Sequence, residues 1–525
     1  MKSDELLDAI GEARDEYVQD ARNAKVKKMP GWAKWTSAIA ACLVLTIGVS
    51  LFFGGMGANS GGGGDDDLKY MYYVGPVLPL TVQGDASGIT AARNVDYNFS
   101  EYCTYQESYE NSKGELVYYD CYDNMAYVTD SYIITNESGA DITVTLLYPH
   151  IGDMQNYTSY PRITVNGNPV TATMHPGPYT GGFEGVWGSN RPGTINIDAI
   201  DCFEGYQTLL STDSYIDSAF DLFPVLDQKV YVYQMHEFVY SEFDGDGSPT
   251  LSFDFYIDYD KTYVFSYGTN GCSWDYESGY CSRRKGGIEY RPKVAPELQH
   301  PDDGYIILLG EDLEEYTLQG YQDGGCDPGE ELDDLSCTIT RYESTLGEVL
   351  AELMPQYMDE MFNQLDANGF CVKPPEGITA KELYLGLAAE LLQTYGQIGT
   401  TPVERYDNGM LENIFSAVDS DGRVIYFSFE VTIPAGESIV VVAGQPKDAS
   451  VDYVGKDKGK DGFDMATRLG SNLTFTEQTA SICRFEEIEI IAQNFGFDLE
   501  NGITEVTLDL NQDHYWMQVR KIRKE

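Results

Sequence analysis

From Trp35 to Gly57 the chain reads WTSAIAACLVLTIGVSLFFGGMG, without one charged residue. A helix needs about 20 apolar residues to cross the hydrocarbon layer of a bilayer, so this run is long enough to span it. No other feature limits the fold so sharply, because the residues before and after a span must face different compartments. Arg22, Lys25, Lys27, Lys28 and Lys34 precede the run, and Asp65, Asp66 and Asp67 follow it. The positive-inside rule therefore places the N-terminus in the cytoplasm and the bulk of the chain outside the cell, with Trp32 and Trp35 at the interface. A cleaved signal peptide fits less well, since its apolar core is normally about 7–15 residues and ends in a small-residue cleavage site. Ile39-Ala40-Ala41-Cys42 has the look of a lipoprotein cleavage box, but it stands near the start of the apolar run rather than at its end.

Ahead of the span, Leu6, Leu7, Ile10, Ala13, Tyr17, Val18 and Ala21 recur at helical spacing, with Asp4 and Glu5 where the first turn favours negative charge. The predicted tail, residues 1–34, is thus an amphipathic cytoplasmic helix followed by a basic stretch. In water its apolar stripe has nothing to bury against, so residues 1–24 are expected to meet the membrane, another copy or a cytoplasmic protein. Behind the span 35–57, the Gly- and Asp-rich residues 58–67 form a flexible tether.

The 525 residues suffice for two or more folded units, and the tail is charge-balanced, so the whole net charge of −50 lies beyond residue 34. Such a field repels phosphate backbones and excludes nucleic acid as a partner, whereas cations, basic proteins and neutral glycans remain compatible.

Residues 68–342 read as strands. Leu251, Phe253, Phe255 and Ile257 alternate with polar residues, and Ile142, Val144 and Leu146 do the same. Tyr132-Ile133-Ile134-Thr135, then Asn136-Glu137-Ser138-Gly139, then Ile142 onward reads as strand, turn, strand, as in a hairpin. Thr345 with Glu348 and Thr379 with Glu382 are capping boxes that open two helices within 343–397, the first with Pro355 as a kink and Gly369 as its stop. Strands resume in 398–525, beginning with VIYFSFEVTI, a turn at 434–437 and SIVVVAG. The expected fold is mainly β: a β-sandwich-type extracellular region with a two-helix insertion, preceded by one transmembrane helix and a short cytoplasmic helix.

Chemistry is harder to locate. Cys272/Cys281, Cys326/Cys337 and Cys103/Cys121 are candidate disulfides on sequence proximity in an exported region. Two acidic turns hold candidate calcium ligands, Asp244 and Asp246 in one and Asp419 and Asp421 in the other. Neither follows the EF-hand spacing, and a hairpin turn explains both. The chain has no C-x-x-C, H-E-x-x-H, G-x-S-x-G or P-loop, so no cofactor is expected and the reading leans against an enzyme. Each of the five histidines, His150, His175, His236, His300 and His514, reads first as structural.

Several strings carry a resemblance: LLDAIGEARDEYVQDA before the span, YVGPVLPLT, TDSYIITNESGADITVTLLYP, IPAGESIVVV and GFDMATRLGSNLTF. Together the chain resembles an uncharacterised group of single-pass membrane-anchored proteins from gut Firmicutes with a large β-rich extracellular domain. No activity or site residue comes with that resemblance. Similar tail-plus-span layouts look like partners of extracytoplasmic-function sigma factors, although the zinc-binding H-x-x-x-C-x-x-C of one anti-sigma class is absent. The expectation is a cell-surface ligand-binding or sensing module of unknown ligand, with a sigma factor as one conceivable cytoplasmic regulator. A glycan-active envelope enzyme and a structural envelope protein are the alternatives.

Overall fold

In the strand Thr250–Tyr256 the alternating Leu251, Phe253 and Phe255 are all buried, and Thr250 and Ser252 on the opposite face are buried as well. This strand belongs to a computed structural model that describes residues 71–522 apart from 101, 111–115, 178–198, 212–213, 221–223, 241–246, 289–301, 356, 395–408, 421 and 453–458. The apolar run 35–57, the tail and the tether lie outside the described residues. Among the described residues no helix is long and apolar enough to cross a membrane.

The chain is mainly β and builds several sheets. Two of them are joined by a pair of corners. Strand Met125–Asn136 pairs with Ser438–Asp448 in a seven-stranded sheet, while Ile142–Gly152 pairs with Arg423–Ile433 in a five-stranded one. The turns at 137–141 and 434–437 therefore carry the chain from one sheet to the other. The expected hairpin is a corner: strands 125–136 and 142–152 are neighbours in sequence but never pair with each other. Asn136 explains why. Its buried side chain donates to Ala140 O (2.8 Å) and Ile433 O (2.9 Å) and accepts from Ser138 N (2.8 Å), which ties one corner to the other. Tyr132, Ile134, Val441 and Ala443 from one sheet and Leu146, Tyr148, Ile425 and Phe427 from the other form a common core. Residues 68–342 and 398–525 thus share sheets.

A four-stranded sheet holding Lys229–Val239 and a five-stranded one holding Thr250–Tyr256 enclose a second core around Tyr233, Met235, Phe253, Phe255, Ile306 and Leu308. Val230 and Val232 belong instead to the core they share with the helices. Both capping boxes form: Glu348 N donates to Thr345 Oγ1 and Glu382 N to Thr379 Oγ1. Pro355 breaks the first helix into Leu346–Leu353 and Tyr357–Ala367 instead of bending it. The preceding Met354 is extended (φ −62°, ψ 147°), the conformation that a following proline favours. Gly369 has φ +77° just past the second segment, where a left-handed residue ends a helix. Helices Ala199–Leu210 and Leu411–Ser420 were not foreseen. The latter buries Leu411, Ile414, Phe415 and Val418 on one face, a helical period inside a stretch that was read as β.

Candidate functional site

The paired strands run about ten residues from the corners to an open end, and there the stacked sheets leave a cleft of about 40 Å³. Its walls come from Pro149 to Asp153, from Gln445 to Asp448, and from the segment around Val74 to Leu78. Alternation sets the inward residues. Tyr148, His150 and Gly152 continue the inward series of one strand, and Gln445 and Lys447 continue the inward series Ile439, Val441, Ala443 of the other.

A buried polar chain holds His150 in place. Arg93 and Asp130 form a bidentate ion pair (Nε–Oδ1 and Nη2–Oδ2, both 2.9 Å), with both side chains fully excluded from solvent. Tyr132 OH donates to Asp130 (2.7 Å), Tyr148 OH also points at Asp130 (3.4 Å), and Gln445 Nε2 donates to Tyr148 OH (3.0 Å). That fixes the Gln445 amide, so its Oε1 accepts from His150 Nδ1 at 2.6 Å. Nδ1 must then carry the imidazole proton, leaving His150 Nε2 a bare acceptor. Nε2 is buried and has no hydrogen-bond partner among the described residues. Burial drives the imidazole down to about 4; Gln445 opposes this and nearby Lys447 adds to it, so the ring is neutral at physiological pH. Lys447 is itself pushed down to about 8 by burial against the pull of Asp464 and Asp448. Asp464 is engaged elsewhere, accepting from Tyr73 OH (2.7 Å) and bonded to His514 Nε2 (2.8 Å).

Carboxyls surround the same end. Asp153 lines the cleft, is raised by burial, and accepts from Asn156 N and Nδ2 (2.7 and 2.9 Å). Asp419 is pushed up to about 8 by burial and by Asp153, against the nearby Arg423. Arg423, wholly buried, donates to Gly177 O (3.1 Å) and pairs with Glu390 (3.3 Å).

Of the candidate calcium ligands, Asp244, Asp246 and Asp421 lie outside the described residues. Asp419 is half-buried with its carboxyl pushed up to about 8, which weakens it as a cation ligand, and its main-chain oxygen accepts from Met154 N and Gln155 N (both 2.9 Å). Among the described residues no three His, Cys, Asp or Glu side chains converge as metal ligands would.

Cys281, Cys326 and Cys337 are free thiols. Across their ladder Cys281 faces Trp274 and Cys272 faces Arg283, two residues out of step. Cys337 lies in the strand Ser336–Thr345, and burial pushes its thiol up to about 12. The strands Cys103–Glu110 and Leu116–Asp123 do pair, with Cys103 opposite Asp123 and Cys121 opposite Tyr105.

The other described histidines are bonded within the fold. His236 Nε2 meets Thr340 Oγ1 (2.7 Å), and His175 Nε2 meets Ser428 Oγ (3.0 Å). Among the described residues the His175–Ser428 pair has no third member of a catalytic triad, since Nδ1 of His175 has no hydrogen-bond partner there, and burial drives the ring down to about 4. Lys447, Asp153 and Asp448 escaped sequence reasoning. The available signal was a lysine on the inward parity of an apolar strand, two residues beyond an inward glutamine.

Fold and cleft together define a mainly β protein of several sheets with a small polar cleft at the open end of two of them. No protein-family model matches the chain, and no curated protein matches it.

Proposed function

We propose that the chain is a single-pass membrane-anchored protein of the bacterial cell surface whose β-sandwich-type extracellular region is a ligand-binding or sensing module. In this reading residues 35–57 hold it in the bilayer, and residues 1–24 couple it to a cytoplasmic regulator such as a sigma factor. One observation carries the binding role. The cleft is lined by His150, whose buried Nε2 has no hydrogen-bond partner among the described residues and whose ring is held by a relay running back to the Arg93–Asp130 pair, and by the buried Lys447. A fold bears the desolvation cost of such groups where something else completes them. The test is thermal unfolding of the intact protein in detergent micelles against envelope-derived glycan fragments and peptides. A bound ligand stabilises the native state by RT ln(1 + [L]/Kd), about 2.7 kcal/mol at a hundredfold excess over Kd. A saturable rise in Tm with at least one compound is expected, and a flat response to the whole panel contradicts the reading.

A glycan-active enzyme is the second reading, favoured by one observation. Asp419, held protonated near neutral pH, lies close enough to Asp153 to feel its charge, and an acid beside a second carboxyl is the pairing used in glycoside hydrolysis. Cleavage of an envelope glycan that is lost in Asp419→Asn supports this reading. Absence of turnover by the wild-type protein removes it.

A further inference from the structure

Two buried groups that line the cleft have opposite needs. Lys447, 8% exposed, lines the cleft and brings N–H donors. His150, 7% exposed, brings an acceptor, because the relay has fixed its proton on Nδ1. Gly152 keeps that acceptor open: a Cβ there would stand 2.6 Å from Nε2.

A ligand that completes both groups must donate at one point of the cleft and accept at another. A carboxylate would answer Lys447, yet once ionised it only accepts and carries no hydrogen for Nε2. A carboxylate or a phosphate would also enter beside Asp153 and Asp448 on a chain of net charge −50, a field that repels anions. An aliphatic cation would be turned away by Lys447. A hydroxyl is both donor and acceptor and carries no charge. The size of the cleft agrees: about 40 Å³ holds roughly three water-sized groups, enough for the edge of a sugar ring and too little for the ring itself.

We infer that the cleft is a subsite for the vicinal-diol edge of a neutral sugar, one hydroxyl donating to His150 Nε2 and its neighbour accepting from Lys447 Nζ. The inference rests on the binding-module reading and names its ligand class. Neither step is covalent, and neither changes the charge of the site.

The experiment uses the intact chain in detergent micelles, titrated by saturation-transfer NMR and calorimetry with methyl α-mannopyranoside, methyl β-galactopyranoside and galacturonate. At least one neutral glycoside should saturate, and galacturonate should bind more weakly than that glycoside. Lys447→Met and Gly152→Ala should each weaken the glycoside roughly tenfold, the loss expected for a hydrogen bond involving a charged or buried partner. Galacturonate binding more tightly than both glycosides overturns the inference, as does saturation by none of the three. Glycoside binding that neither variant weakens also overturns it, and in that case the sugar sits elsewhere and the binding-module reading stands. Should Lys447→Met fail to fold, Gly152→Ala and the wild-type comparison of neutral with acidic sugar decide the matter.

Discussion

Lys447 occupies a position where the alternation of its strand calls for an apolar side chain, and its ionisation records the cost. Burial pushes the ammonium down to about 8, whereas an unfolded chain keeps it near about 10.4. Between those values the unfolded state holds a proton that the folded state has shed, so stability from this residue rises with pH, and below 8 the full penalty is present. Lys447→Met should therefore be more stable than wild type at pH 7, by up to about 3 kcal/mol, with the gap shrinking to less than half by about pH 9.5. Urea unfolding at both pH values measures it, and a variant no more stable at pH 7 contradicts the assignment. His150 works in the acid range. Its folded value of about 4 lies below the ordinary 6.5, so the unfolded chain takes up a proton first and stability is lost as pH falls from 6.5 to 4. His150→Gln should flatten that decline, and His175, also driven down to about 4, should keep part of it in the variant. An unchanged slope would place the titration elsewhere. At this scale the sequence was only partly legible. His150 reads only as a structural histidine and Lys447 is not singled out at all; extending the period-two parity of their strands would mark both as inward, but the partners that make them a pair come from two sheets some 300 residues apart in the chain, and no local pattern encodes that.

Elements were easier to read where their determinants are local. Both capping boxes form because each needs only residues three apart, and Thr345→Ala should cost about 1 kcal/mol in chemical denaturation. Pro355 was placed correctly as an interruption but misjudged in strength, since the effect of a proline on the residue before it ends the helix at Met354. Turn 136–141 shows the opposite limit. Turn chemistry and flanking alternation are the same for a hairpin and for a corner, and only distant strands decide between them. Strand 125–136 finds better partners in 89–98 and 438–448 than in its neighbour. Asn136 bonds to Ile433 O across that distance, so Asn136→Ala should destabilise the protein by about 2–3 kcal/mol through unpaired buried carbonyls. A loss within about 0.5 kcal/mol would mean that the corners are held by something else.

For the whole molecule, composition and charge speak about environment more than shape. The acidity beyond residue 34 and the uncharged run at 35–57 motivate an anchored, outward-facing protein, and the described β-sheets supply the bulk that would face the medium. The cleft at the open end of two stacked sheets gives that bulk a place to meet a ligand. Its chemistry only matters on the outside if the orientation holds. Orientation is accordingly the claim to test first, by adding protease to intact cells that carry the protein with different epitopes at its two ends. The account predicts that the C-terminal epitope is digested while the N-terminal epitope survives in the membrane fraction on a short fragment until the cells are lysed. A C-terminal epitope spared on intact cells, or a mature product released without residues 35–57, would contradict it.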